Sequence, residues 1–158
     1  MAPSLRFISE QIVWQEVPGE TSLAYMISGC PLRCMGCHSP DGWDENKGVI
    51  LSEDYFKTKL KQYEGFITCV LFLGGEWNEN ALIPLLKEAQ KHNLQTCLYT
   101  GYEKVSDALL SQLTYLKTGP WIASLGGLSS LTTNQKMIDI RNKQILNDQF
   151  RSNEYVKS

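Results

Sequence analysis

Apolar and polar positions along this chain fall into short apolar runs separated by amphipathic stretches. Residues 6–17 scatter β-branched and aromatic side chains and predict a first strand, closed by the turn signal Pro18-Gly19-Glu20. Ser22-Leu23-Ala24-Tyr25-Met26-Ile27 is an apolar run of strand length that stops at Gly29. Residues 30–47 carry no sustained period and are rich in Pro, Gly, Asp and Asn, and a loop this long within a domain points to function. Ser52-Glu53-Asp54 reads as a helix start, with Tyr55, Phe56, Leu60 and Tyr63 following at helical spacing. Residues 66–73 form a nearly continuous apolar run ending at Gly74-Gly75, the pattern of a strand buried on both faces. A second helix is predicted over residues 78–92, with Pro84 tolerable only within or near its first turn. Residues 96–99 predict another strand, ending at Thr100-Gly101. Residues 106–116 predict a third helix with Leu109, Leu110, Leu113 and Leu116 on one face. A Gly/Ser-rich connection then leads to a last short strand at Met137-Ile138-Asp139-Ile140.

Strands alternating with helices imply βαβ units and a mostly parallel sheet. At 158 residues the expectation is one domain over residues 1–140, followed by a polar tail over 141–158. A chain of this length buries roughly 70% of its unfolded surface and needs no disulfide or metal to hold a core. With 42% hydrophobic and 20% charged residues the composition is that of a globular domain rather than a disordered or coiled-coil chain. A formal charge of −2 argues against broad electrostatic binding of nucleic acid, which calls for a basic patch. No apolar run reaches membrane-spanning length, and residues 1–7 are too short and polar for a signal peptide. The expected location is therefore the cytoplasm.

Cysteine changes the picture. There are 5 cysteines, an odd number, and a reducing compartment does not favour disulfides. Cys69 and Cys97 stand alone in apolar runs and read as small buried hydrophobes. Cys30, Cys34 and Cys37 crowd into one loop at C-x3-C-x2-C, a spacing from which three thiolates can close around one inorganic centre. Zinc in a structural site takes four ligands, and His38 is the one candidate fourth. Its adjacency to Cys37 speaks against both reaching one ion. A four-iron cluster held by three thiolates keeps one iron open to a small molecule, whereas iron–sulfur cubanes usually take four cysteines. A zinc-stabilised binding module without catalysis is the competing reading.

C-x3-C-x2-C in a loop after an early strand resembles the signature of the radical S-adenosylmethionine enzymes. Gly74-Gly75-Glu76 after the next strand resembles their Gly-Gly-Glu motif. Two glycines at a strand end let the backbone approach a ligand closely, and a glutamate accepts from an ammonium group. A narrower likeness rests on Cys37-His38-Ser39-Pro40, Trp43, Pro18-Gly19-Glu20, Tyr99-Thr100-Gly101-Tyr102 and Thr133-Asn134-Gln135. These resemble the activating proteins of anaerobic (class III) ribonucleotide reductase. The chain departs from that pattern at Gly36, Ser39, Trp77 and Thr118-Gly119-Pro120-Trp121.

The resemblance implies an incomplete, open parallel β/α barrel, with its chemistry at the C-terminal ends of the strands. It implies that Cys30, Cys34 and Cys37 hold a [4Fe-4S] cluster. It further implies that Gly36, His38, Gly74, Gly75, Glu76, Thr100 and Gly101 contact S-adenosylmethionine. The implied reaction is reductive cleavage of that molecule to a 5′-deoxyadenosyl radical, which makes a glycyl radical on anaerobic ribonucleotide reductase. An electron donor such as flavodoxin or ferredoxin is implied as a second partner. An activase of another glycyl-radical enzyme, of the pyruvate formate-lyase type, is the alternative within this class. For Thr100 and Gly101 a plain strand-ending turn is an equal reading, and Trp43 and Trp77 are placed near the site. No general acid, base or nucleophile is needed, and no such constellation stands out.

Overall fold

The computed structural model of the chain describes residues 4–29 and 48–150. Its strands are β1 (Leu5–Val13), β2 (Ser22–Ile27), β3 (Val49–Leu51), β4 (Cys69–Leu73), β5 (Gln95–Tyr99), β6 (Tyr115–Thr118), β7 (Lys136–Asp139) and β8 (Gln144–Ile145). The helices are α1 (Glu53–Gln62), α2 (Glu79–Lys91) and the single turn α3 (Asp107–Leu110). All these strands join one open sheet in the order β3-β1-β2-β4-β5-β6-β7-β8. β2, β4, β5 and β6 run parallel, with β2 Met26 level with Leu73, Leu73 with Tyr99, and Tyr99 with Lys117. Antiparallel strands flank this centre, β3 and β1 on one side and β7 and β8 on the other. The sheet is therefore mixed rather than mostly parallel, and its open form agrees with the incomplete barrel that the family resemblance implies.

Burial on both faces explains the unbroken apolar runs of β2 and β4. Alternate residues Leu23, Tyr25, Val70, Phe72, Leu98 and Leu116 point to the helix layer and meet Phe56, Leu60, Leu82, Leu85, Leu86 and Leu109. Aromatic packing anchors this layer, with Tyr25 edge-on to Phe7 at 5.2 Å between ring centres. Their neighbours Ala24, Cys69, Leu71, Cys97 and Tyr115 point the other way. None of α1, α2 and α3 covers that second face, and the helical turn at residues 147–150 packs Phe150 against it. Val17, from the chain between β1 and β2, and Leu146, beyond β8, close it instead. The Pro18-Gly19 turn makes this possible by returning the chain, with Glu20 N–H donating to the Val17 carbonyl at 3.1 Å.

Several boundaries differ from expectation for physical reasons. β4 begins at Cys69 rather than at residue 66: Phe66 is 77% exposed in a turn, while Ile67 is buried. The leucine periodicity over 106–116 breaks into α3 and then β6. Leu109 and Leu116 both face the helix-side core, one from a helix and one from a strand, so a single apolar layer imitates one helical stripe. Pro84 lies inside α2 past its first turn. The carbonyl of Asn80, four residues earlier, thus has no helical N–H to accept. Burial of Ala81, Leu82, Leu85, Leu86 and Ala89 holds the helix across that gap. Residues 141–150, whose polarity suggests the start of a tail, are fixed to the sheet. Buried Asn147 accepts from Met137 N–H at 2.9 Å and donates to the Gln135 carbonyl at 2.8 Å. No helix among the described residues is long and apolar enough to cross a membrane.

Candidate active site

The C-terminal ends of the four parallel strands form one edge, and each runs within two residues into a glycine. Gly29, Gly74, Gly75 and Gly119 adopt φ of 96°, 99°, 107° and 97°, a region that side chains with a Cβ avoid. At Gly74 the demand is double. A Cβ there would stand 2.6 Å from Trp77 Cη2, so the indole packs on a surface that only glycine leaves open. At Gly75 a Cβ would make ordinary contacts no closer than 3.4 Å, and only the backbone angle calls for glycine. Ligands of open α/β sheets gather beyond such carboxyl edges.

Glu76 opens the short 3-10 helix Glu76–Asn78 directly after this glycine pair. The turn aims its carboxylate across the strand ends toward β5, where buried Thr100 donates its hydroxyl to Oε1 at 2.7 Å. Thr100 Oγ1 also accepts from Tyr102 N–H at 3.1 Å, so the threonine is held from both sides. The second carboxylate oxygen, Oε2, is buried and has no hydrogen-bond partner among the described residues. Burial pushes the Glu76 carboxyl above its ordinary range, against the opposing pull of the Thr100 hydroxyl, its own backbone N–H and Lys117. Lys117, at the same level on β6, has its ammonium on the Gly119 carbonyl at 2.9 Å and over the Tyr99 ring at 5.7 Å. A half-buried carboxylate with one oxygen unserved is a receptor for a positively charged N–H donor.

The structure therefore brings Gly74, Gly75, Glu76, Thr100 and Gly101 to one edge. Thr100 spends its hydroxyl on Glu76 and orients it. Trp77 packs against the Gly74 turn, as its sequence position suggests. Cys30, Cys34, Cys37, Gly36, His38 and Trp43 lie outside the described residues. Gly29, the last described residue before them, follows β2 on the same edge. Cys69 and Cys97 are buried on the face away from the helices, as expected for packing residues. Burial pushes the Cys69 thiol up to about 12 and the Cys97 thiol well above its usual value, which leaves both poor ligands and nucleophiles. His92 caps α2 and pairs with Glu88 at 3.1 Å. Lys117 is an edge residue that sequence reasoning passed over, and Asn134, quoted only within the Thr133-Asn134-Gln135 motif, was given no role. Reading residues 106–116 as helix hid β6, and with it the neighbour of Asn134. The adjacent apolar pair Tyr115-Leu116, buried on opposite faces and followed by β-branched Thr118, was the available signal for a strand.

Comparison with known proteins agrees with this architecture. A family model for a 4Fe-4S single cluster domain matches residues 17–140, most of the chain. The pyruvate formate-lyase-activating enzyme of Clostridium pasteurianum is 29% identical over 100 residues, covering 56% of this chain and 42% of that protein. The match thus spans under half of that relative's length. The crystal structure of QueE from Escherichia coli superposes with a TM-score of 0.53 at 16% identity, over 63% of this chain and 54% of that one. At that identity the likeness concerns the fold. The chain belongs to the 4Fe-4S single cluster domain family, within the radical S-adenosylmethionine superfamily whose cofactors are a [4Fe-4S] cluster and S-adenosylmethionine.

Proposed function

We propose that this chain is a cytoplasmic radical S-adenosylmethionine activase that generates the glycyl radical on anaerobic ribonucleotide reductase. The observation that supports the cofactor part of the reading is the unserved, buried Oε2 of Glu76 on its glycine turn. The reductase as partner rests on the motif resemblance at Cys37-His38-Ser39-Pro40, Tyr99-Thr100-Gly101-Tyr102 and Thr133-Asn134-Gln135. An α-amino group fits it by charge, by donor chemistry and by position at the strand edge. In this reading Cys30, Cys34 and Cys37 hold the cluster, and Gly36, His38 and Gly101 line the remainder of the cofactor site. A cluster held there would supply the electron for cleaving the sulfonium C–S bond of S-adenosylmethionine, the chemistry that would give methionine and a 5′-deoxyadenosyl radical able to take a hydrogen atom from a partner glycine.

The chain's own residues bind and orient. Glu76 receives the ammonium, and Thr100 fixes the carboxylate through Oε1 so that Oε2 keeps one direction. Gly74 and Gly75 keep side chains out of the turn that carries Glu76, while Trp77 packs beneath it. Lys117 lowers the cost of the Glu76 charge from β6. Val17, Leu71, Cys97 and Leu146 fill the interior below the edge, which keeps water from reaching the site from that side.

A second reading, activation of a pyruvate formate-lyase type enzyme, is favoured by the similarity to the Clostridium pasteurianum activating enzyme. One experiment tests both. The anaerobically reconstituted chain is mixed with S-adenosylmethionine, a flavodoxin- or ferredoxin-type reductant and each candidate partner in turn. A glycyl doublet in the electron paramagnetic resonance spectrum of the ribonucleotide reductase supports the first reading, and a doublet on the lyase alone replaces it with the second. A colourless protein with one zinc per chain would sink both.

A further inference from the structure

Glu76 Oε2 is not the only buried acceptor without a partner near the strand ends. Asn134 Oδ1 is also buried and has no hydrogen-bond partner among the described residues. Lys136 opens β7 opposite Thr118, the last residue of β6, so Asn134 stands just outside the sheet beside Gly119. A Cβ on Gly119 would lie 3.0 Å from the Asn134 carbonyl and 3.2 Å from its Nδ2. The missing side chain at 119 is what lets Asn134 settle against the end of β6.

The amide is held in one orientation. Nδ2 donates to the Pro120 carbonyl at 3.0 Å, and turning the amide over would set two acceptor oxygens against each other. Its neighbours are pinned as well. Gln135 N–H donates to Thr133 Oγ1 at 3.0 Å, and that hydroxyl donates to the Gly126 carbonyl at 3.0 Å. A fixed, buried amide oxygen with no donor carries a desolvation penalty that a bound donor would relieve. β4 and β6 are separated by β5 alone, so their ends lie two strand spacings apart, about 10 Å. A molecule with an ammonium at one end and a nucleoside at the other spans a gap of this order.

We propose that Asn134 is a specificity-determining residue of the S-adenosylmethionine site, its Oδ1 accepting a hydrogen bond from the nucleoside half of the ligand. The inference rests on the cofactor reading above. The donor is an N–H or O–H of that half, either the adenine amino group or a ribose hydroxyl. Because solvent does not reach Oδ1, the ligand gains access through a local shift of the covering groups.

The test is a binding measurement that needs no turnover. Cluster-loaded chain without reductant is titrated calorimetrically with S-adenosylhomocysteine, S-inosylhomocysteine, and the 2′-deoxy and 3′-deoxy forms of S-adenosylhomocysteine. Wild type is compared with Asn134→Ser, and with Asn134→Thr should the first variant fold poorly. One analogue is expected to bind wild type about tenfold more weakly than S-adenosylhomocysteine, the loss of one neutral hydrogen bond. The variant is expected to lose the same factor with S-adenosylhomocysteine and nothing more with that analogue. Which analogue couples identifies the donor. Unchanged affinity of wild type for all three analogues overturns the proposal without any variant. Equal losses in wild type and variant, which a merely structural Asn134 would give, overturn it too. If wild type binds none of the four ligands, the cofactor reading falls, and the Asn134 inference with it.

Discussion

Replacing Glu76 with glutamine changes charge while keeping shape, and its consequences can be worked from the contacts. The glutamine amide oxygen would still accept from the Thr100 hydroxyl, which now stands 2.7 Å from the carboxylate, so the turn stays oriented. What disappears is a carboxylate whose buried oxygen has no donor. A charge-assisted hydrogen bond is worth about 1.5–3 kcal/mol, so affinity for the amino group should fall about tenfold to a hundredfold. Stability of the ligand-free chain should move the other way. The folded-state pKa of Glu76 lies above its ordinary value because burial disfavours the charge. Its contribution to stability is therefore full below the ordinary glutamate pKa and is lost as pH rises through the raised one. The neutral variant should show a higher urea midpoint than wild type at neutral pH, with the difference vanishing in acid. Ligand affinity of wild type should fall as pH drops through the raised pKa, and the variant should lack that fall. Calorimetric titration of S-adenosylhomocysteine across pH, with urea unfolding followed by circular dichroism, measures both. A variant that binds like wild type, or unfolds at lower urea near neutral pH, would refute the reasoning.

Other substitutions separate the site's parts. Gly75→Ala should cost about 1–3 kcal/mol in urea unfolding from backbone strain alone, whereas Gly74→Ala adds a collision with Trp77 and should cost more. Adding Trp77→Leu to Gly74→Ala should return the collision part and leave the strain, and no recovery would count against that contact. Asn147→Ala strands the Met137 N–H and the Gln135 carbonyl, each worth about 1–3 kcal/mol when buried without a partner. A urea midpoint unchanged in that variant would mean that residues 141–150 do not hold the sheet. Cys34→Ala should abolish iron binding while the chain still folds, and Cys97→Ala should keep wild-type iron content at reduced stability. Iron analysis beside circular dichroism checks both, and iron retained without Cys34 would overturn the ligand assignment.

Much of this protein was legible in one dimension. Apolar runs at 22–27, 66–73 and 96–99, each followed within two residues by a glycine, mark parallel strands, because strands buried on two faces need no polar alternation. The second of these runs enters its strand only at Cys69. The spacing of Cys30, Cys34 and Cys37, and Gly74-Gly75-Glu76 after a strand, carried the cofactor reading, because close ligand approach restricts residue type locally. Ser52 was recognisable as a helix cap for the same local reason, its hydroxyl accepting Tyr55 N–H at 3.1 Å. Contacts between distant residues were decided elsewhere. Periodicity alone could not divide Leu109 from Leu116, since helix and strand deliver both to one apolar layer. Nothing local says that Val17 and Leu146 close the second face, that Thr100 fixes Glu76 across 24 positions, or that Gly119 makes room for Asn134. Each depends on the register of β4, β5, β6 and β7. That register is set by packing both faces of the sheet at once, a condition on the whole chain rather than on any stretch of it.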